Sequence, residues 1–311
     1  MMVFVLFASL HAAANDHGNS QALTYTNPIM DIKAADPHVI RYEGLYYLYP
    51  TWGGTHYNVF SSPDLVHWEH KGKCFEDSRG GLWAPDVFHH ASGDGKFYLY
   101  YTIGPLRHKQ VGVAVSESPL GPFEDRCILA DNAIDAHLFR DDDGELYLYY
   151  TEIFSKPGNR IRVQAMEEPL QKREASLLVI TPEAPWERAH GSVAEAPWMI
   201  KRNGVYYLMY SGSGADGPDY AIGYATADSP LGPFTKHPGN PIVKRNETVF
   251  GPGHHCVVEG PHGGLWMVYH QKRNTDINFN RFLAIDPIWF DGDGVIHATV
   301  SRGTAAPVPP H

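Results

Sequence analysis

Cysteine is scarce in this 311-residue chain: Cys74, Cys127 and Cys256 stand far apart and form no CxxC pair. Neither a disulfide framework nor a thiolate metal site fits that spacing, and the three read as buried thiols. Basic residues are also few, 25 Lys and Arg against 35 Asp and Glu, for a formal charge of −10. A nucleic-acid partner, whose phosphates call for Lys/Arg patches, is excluded, and a polyanionic substrate is disfavoured for the same reason. Helical patterns with caps are nearly absent, which removes an α/β fold. Beyond the N-terminus no apolar run is long enough to span a bilayer, so no membrane partner is expected. Among 18 His there is no HExxH and no tight His/Asp/Cys cluster, which argues against a catalytic transition metal.

Aromatics, by contrast, are abundant: 18 Tyr and 7 Trp exceed what a core needs, and surplus aromatics often face sugars or bases. Five copies of one pattern order the chain: "GLYYLYP" from Gly44, "GKFYLYY" from Gly95, "GELYLYY" from Gly144, "GVYYLMY" from Gly204 and "GLWMVYH" from Gly264. Each opens on a turn Gly and alternates aromatic with aliphatic residues at the period of a strand. Intervals of 51, 49, 60 and 60 residues fit four short strands plus loops per copy. A second, out-of-phase repeat, "SSPDL" at Ser61, "SESPLGPF" at Ser116, "MEEPL" at Met166 and "ADSPLGPF" at Ala227, supplies outer-strand turns. The expectation is an all-β, five-bladed β-propeller over residues 23–303, followed by a loose Pro-rich tail at 304–311. Residues 1–22 hold a short apolar run and a small-residue stretch without a basic start. They read as a signal peptide, with a disordered start as the alternative; the protein is expected to be secreted or periplasmic, and otherwise cytoplasmic.

A polar residue stands 8 to 10 positions before each repeat Gly: Asp36, Asp86, Asp135, Glu195 and His254. Innermost propeller strands line the axis, so equivalent positions of successive blades converge there. Two or three carboxylates around one cleft suit glycoside hydrolysis, in which an acid protonates the leaving oxygen and a base activates water. Glu195, bracketed by Ala194 and Ala196 beside Pro197 and Trp198, has neighbours that disfavour its charge, as a proton donor requires; Asp36, near Lys33 and His38, keeps more polar company. Bland readings exist for each: a turn Asp before Pro37, an Asp135–Arg140 pair, a solvated loop acid at 195. One per blade on a five-fold repeat, the three together favour function, and Asp86 is left as structural. His254 and His255 are neighbours on a strand and face opposite ways, so one of them packs. "DDDGE" from Asp141 lacks the spaced ligands of a calcium loop and reads as a charged turn. Trp52, following the blade-one strand into a Gly-rich loop, is a candidate sugar contact at the cleft rim.

From "NPIMDIKAADPHVI" to "NRFLAIDPIWFDGDG" the chain resembles glycoside hydrolase family 43, the five-bladed propellers that degrade arabinan and xylan. The likeness lies in an Asp opening blade one (Asp36), an Asp in blade three (Asp135) and a Glu followed by a small residue and Pro in blade four (Glu195). It implies that Asp36 is the general base, Glu195 the general acid and Asp135 the residue that tunes and orients the acid, in a single inverting displacement with acid and base about 6.5 to 9.5 Å apart. It further implies substrate contacts from Trp83, Arg281 and His254. No cofactor is required; a structural Ca²⁺ on the axis, held by His254 through water, is the one metal the resemblance implies, although "HHC" stands here where His-Asn-Ser is more frequent. The substrate is then an arabinose- or xylose-containing oligo- or polysaccharide, and the enzyme an exo-acting α-L-arabinofuranosidase or β-xylosidase. The alternatives are an endo-arabinanase or galactan-active member of the same family, or a non-catalytic sugar-binding propeller. Retaining fructan hydrolases of similar fold are set aside because their Trp-Asn start and Arg-Asp-Pro motif are missing.

Overall fold

Each repeat Gly turns a hairpin. Glu43–Gly44 and Asn203–Gly204 both have positive φ at their two positions (49° and 81°, 51° and 81°), the conformation whose twist matches the flanking strands and for which glycine is suited. The computed structural model describes residues 24–308; the segment read as a signal peptide, 1–22, lies outside the described residues. Five antiparallel sheets follow one another, each built from consecutive strands. Blade one runs Ala35–Tyr42, Leu45–Thr51, His56–Ser62 and Glu69–Glu76. Blade three begins at Ala133–Arg140 and carries a fifth strand, Leu177–Ile180, paired with Arg160–Glu168 beside the expected four. The "SPLGPF"-type segments turn from third to fourth strand, as in Gln110–Ser116 to Glu124–Asp131. The first strand of every blade packs on that of the next, and blade five packs on blade one, closing the ring.

Alternation along the second strands has a direct consequence. Tyr46 and Leu48 enter the core shared with blade five, while Tyr49 enters the core shared with blade two. Five apolar clusters result, one in each space between neighbouring blades. Both faces of each sheet are therefore buried, and near-continuous apolar strands follow. The tyrosine surplus is explained here and not at a sugar site. The hydroxyls of Tyr49, Tyr100 and Tyr149 reach across to the carbonyls of Pro119, Pro169 and Pro230 at 2.6, 2.7 and 2.5 Å, each in the outer turn of the following blade. A buried ring needs an outlet for its hydroxyl, and the two repeats satisfy one another.

The first and last described segments meet at blade five. Tyr25 Oη donates to Asp286 at 2.7 Å, and Asn27 Nδ2 donates to the Ile285 carbonyl at 2.7 Å. Thr24–Tyr25 pairs with Ala306–Pro307, and Ala306 and Val308 pack on the blade five–blade one core. The tail expected to be loose from residue 304 is thus ordered through 308, because those residues supply partners to an otherwise unpaired N-terminal strand. Asp141 is likewise more than a turn residue: its carboxylate accepts from Lys201 Nζ and Tyr206 Oη, both at 2.5 Å, tying blade three to blade four.

Candidate active site

Every first strand opens with a bulge. Pairing with the second strand skips between Ala35 and His38, Trp83 and Asp86, Ile134 and His137, Glu195 and Trp198, and Gly253 and Cys256. Each skip contains one non-glycine residue in the left-handed region, Asp36, Ala84, Asp135, Ala196 and His254, with φ between 47° and 54°. Such backbone costs about 1–3 kcal/mol per residue and gathers at working sites. The five left-handed residues are the true equivalents. Counted in that frame, Glu195 stands one place earlier, level with Trp83, and Asp86 stands two places later, level with His38 and His137. The near-constant spacing to the repeat Gly conceals this difference.

The strained amides are held by neighbouring blades. Ala84 N–H donates to Thr51 Oγ1 (2.7 Å), Asp135 N–H to Thr102 Oγ1 (3.1 Å), His254 N–H to Ser211 Oγ (2.9 Å) and Asp36 N–H to His270 Nδ1 (3.3 Å). In blade four the pattern changes: the Ala196 amide donates to the Asp135 carboxylate at 3.2 Å, and Thr151 Oγ1 is left buried without a partner. Asp135 thus grips the peptide that follows Glu195. These clamps were missed from sequence, although the Thr or Ser after the first four repeats ("YPT", "YYT", "YYT", "MYS") was there to be read.

Asp36, Asp135 and Glu195 lie together in a cleft of about 450 Å³, only 6, 7 and 8 % exposed. Their environments differ sharply. Burial alone would raise the Asp36 carboxyl, but the Arg281 guanidinium at 2.8 Å, with His254 and His270 at 3.4 and 3.2 Å, holds it well below the usual carboxylate range. Burial pushes Glu195 up to about 7, against hydrogen bonds from Tyr220 and Asn159 that favour its anion and with Asp36 adding repulsion. Tyr220 Oη donates to Oε1 at 2.8 Å and Asn159 Nδ2 approaches Oε2 at 3.4 Å. Asp135 is raised well above its ordinary value by burial and then by the charges of Glu195 and Asp36. Tyr220 also stacks on His270 at 5.5 Å, so the supports of Glu195 and Asp36 touch. Tyr220, Asn159 and His270 are site residues that sequence patterning did not reveal.

Trp83, Arg281 and His254 line the cleft as expected. Lys109 Nζ lies 3.5 Å from the centre of the Trp83 ring. Trp52 does not line the cleft: it stacks on Phe60 at 5.8 Å and packs on the core shared with blade five, because the strand before it turns that side chain between blades. His254 borders both the cleft and the axial cavity beneath it, and its Nδ1 faces Asp36. That cavity, about 20 Å³, is also lined by His38, Asp86, Asp135, His137 and His255 among others. Asp86 there bonds His137 and His38 at 2.8 and 3.2 Å, and both ring nitrogens of His255 are unpartnered. Calcium takes six to eight oxygen ligands, whereas this cavity offers imidazoles and two carboxylates, Asp86 held by His137 and His38 and Asp135 held by the Ala196 amide. Among the described residues no group of three or more His, Cys, Asp or Glu side chains is placed to hold a metal ion. The residues present do not fit direct calcium coordination.

Comparison with known proteins agrees with the geometry. The profile of Glycosyl hydrolases family 43 matches residues 25–296. A β-D-galactofuranosidase (xynD) of Aspergillus niger is 30 % identical over 87 % of this chain and 83 % of its own length. A xylosidase/arabinosidase of Bacteroides ovatus is 30 % identical over 84 % of this chain and 93 % of its own. Among solved structures, a thermostable family-43 glycoside hydrolase superposes with a TM-score of 0.84 at 35 % identity, covering 92 % of this chain and 99 % of that one.

Proposed function

The chain belongs to glycosyl hydrolase family 43, an inverting glycoside hydrolase family, and from that premise we propose that it releases a terminal furanosyl or pentosyl unit from plant oligo- or polysaccharides, as an exo-acting α-L-arabinofuranosidase or β-xylosidase. One observation carries the mechanism: two carboxyl groups of one buried cleft are driven apart, Asp36 towards the anion and Glu195 towards the acid. Widely separated titrations in a shared site mark the base and the acid. Asp36 accepts a proton from water as the water oxygen bonds to the anomeric carbon. The bond from that carbon to the leaving oxygen breaks, and Glu195 delivers its proton to that oxygen. Asp135 orients the acid by holding the Ala196 amide, and its carboxyl adds to the pressure against a second charge. Trp83, Arg281 and His254 contact the sugar.

Exo action is supported by the loop through Gly214, Ala215 and Asp216, which lines the cleft and is tied to blade five by Asn278 N–H donating to the Asp216 carbonyl at 3.0 Å. The galactofuranosidase relative supports a second reading, a galactofuranoside substrate. No helix among the described residues is long and apolar enough to cross a membrane, and some relatives are named extracellular; we place the enzyme outside the cytoplasm, secreted or periplasmic. The deciding experiment measures nitrophenol release from the α-L-arabinofuranoside, β-D-xyloside and β-D-galactofuranoside, with the anomer of the first sugar released followed by NMR. Inversion on one of the three names the sugar. Retention of configuration overturns the roles assigned to Asp36 and Glu195.

A further inference from the structure

Leu106, Phe154, Phe279 and Ile277 are the four most exposed large apolar side chains among the described residues, at 62, 61, 59 and 57 %. They are not scattered. Leu106, Phe154 and Phe279 all line the mouth of the catalytic cleft, and Ile277 is two residues from Phe279. The first three come from the loops joining second to third strands in blades two, three and five, so the fold brings them to one end of the ring from three distant parts of the chain. Exposed apolar groups clustered at a cleft mark a binding surface.

The loops hold these side chains firmly. Phe154 sits in the left-handed region at φ 60°, a conformation a bulky residue adopts only under constraint, with the Ile153 amide bonded to the Asn132 carbonyl at 2.9 Å. Phe279 packs under the Arg281 guanidinium, 5.3 Å from its ring centre, and Lys272 Nζ is bonded to the neighbouring Asn278 carbonyl. The same Arg281 grips Asp36, so the apolar mouth and the charged floor share a strut.

We propose that the mouth formed by Leu106, Phe154 and Phe279 is a leaving-group site that takes an apolar aglycone, an aryl or alkyl group, as well as the further sugar of an oligosaccharide, and binds the apolar group the more tightly of the two. The inference rests on the proposed function for placing the released sugar on the buried floor. The polar groups that can satisfy sugar hydroxyls, Asp36, Asp135, Glu195, Asn159 and Arg281, are concentrated there. The mouth offers three large apolar side chains and Asp216, which is already paired with His190 at 3.2 Å. A second sugar would lose hydroxyl hydration without replacement partners, whereas an aryl or alkyl group loses nothing polar and gains burial.

The test uses methyl, butyl and hexyl α-L-arabinofuranosides and β-D-xylosides, whose leaving alcohols differ little in acidity, with xylobiose and an arabinofuranosyl-xylose as sugar comparators. A fully buried methylene is worth about fourfold, and one with an open side about twofold, so hexyl should exceed methyl by about thirtyfold in kcat/KM. It should also exceed the matching disaccharide. The Phe154→Ser, Phe279→Ser double variant should flatten the dependence on chain length. A flat response in the wild type, or a disaccharide hydrolysed faster than the hexyl glycoside, would overturn the proposal. Calorimetric binding of the same series to Glu195→Gln reads the dependence on chain length without turnover, so an enzyme that hydrolyses neither series would refute the proposed activity while the aglycone site was still decided.

Discussion

Glu195→Gln separates the cost of the catalytic acid from its use. Burial raises the carboxyl from 4.5 to about 7, which at about 1.4 kcal/mol per pH unit corresponds to roughly 3 kcal/mol against ionisation. The sign follows from which state binds the proton. Below about pH 4.5 the group is neutral both folded and unfolded, and it affects stability little. Between 4.5 and 7 the unfolded chain ionises first, so the wild type loses stability as pH rises, and above 7 the loss is complete. Glutamine is neutral throughout and keeps the acceptor that Tyr220 donates to. The variant should therefore match the wild type in Tm at pH 4.5 and exceed it at pH 8.5 by about 6 °C, taking roughly 2 °C per kcal/mol for a domain of this size. Its kcat/KM on an unactivated disaccharide should fall by about 10²- to 10⁴-fold, the usual worth of a general acid. Scanning calorimetry at the two pH values decides the matter. A Tm difference that does not change with pH, or a wild type that is the more stable at pH 8.5, would refute the account of a charge disfavoured by burial.

Other perturbations test its surroundings. Tyr220→Phe removes a donor that favours the Glu195 anion, so the alkaline limb of the pH–rate profile should move to higher pH while kcat/KM falls by about tenfold, the worth of one hydrogen bond to a charged group; a loss of rate with an unmoved limb would make Tyr220 merely structural. Arg281→Met removes the chief counter-charge of Asp36, which should raise the acidic limb and lower kcat/KM by at least about tenfold, as read from rate profiles between pH 3 and 7. Dialysis against EDTA should leave Tm and kcat/KM unchanged, since the axial donors do not suit direct calcium coordination; a loss restored by calcium and not by magnesium would show an ion held there through water.

Much of this protein is legible without coordinates because its defining patterns are local. A turn Gly followed by alternating apolar residues specifies a hairpin whatever lies around it, and five such copies count the blades. Asp36 and Asp135 are found by the same count because both occupy the left-handed position of the bulge. Glu195 and Asp86 show the limit: at the same distance from the repeat Gly, they stand one place before and two places after the left-handed residue of their bulges, and a bulge leaves no mark on residue spacing. Trp52 and the tyrosines were open to a sugar-binding reading because composition does not say which face of a blade a ring occupies. Of the adjacent pair, His254 reaches both cleft and axial cavity while His255 reaches the axial cavity without lining the cleft. The sequence by itself determined the repeat, the all-β fold and the set of acids, because these depend on neighbours along the chain. The tertiary structure decided which acid is held charged and which is driven neutral, since Arg281, His270 and Tyr220 reach Asp36 and Glu195 only when distant segments close the ring and water leaves the cleft.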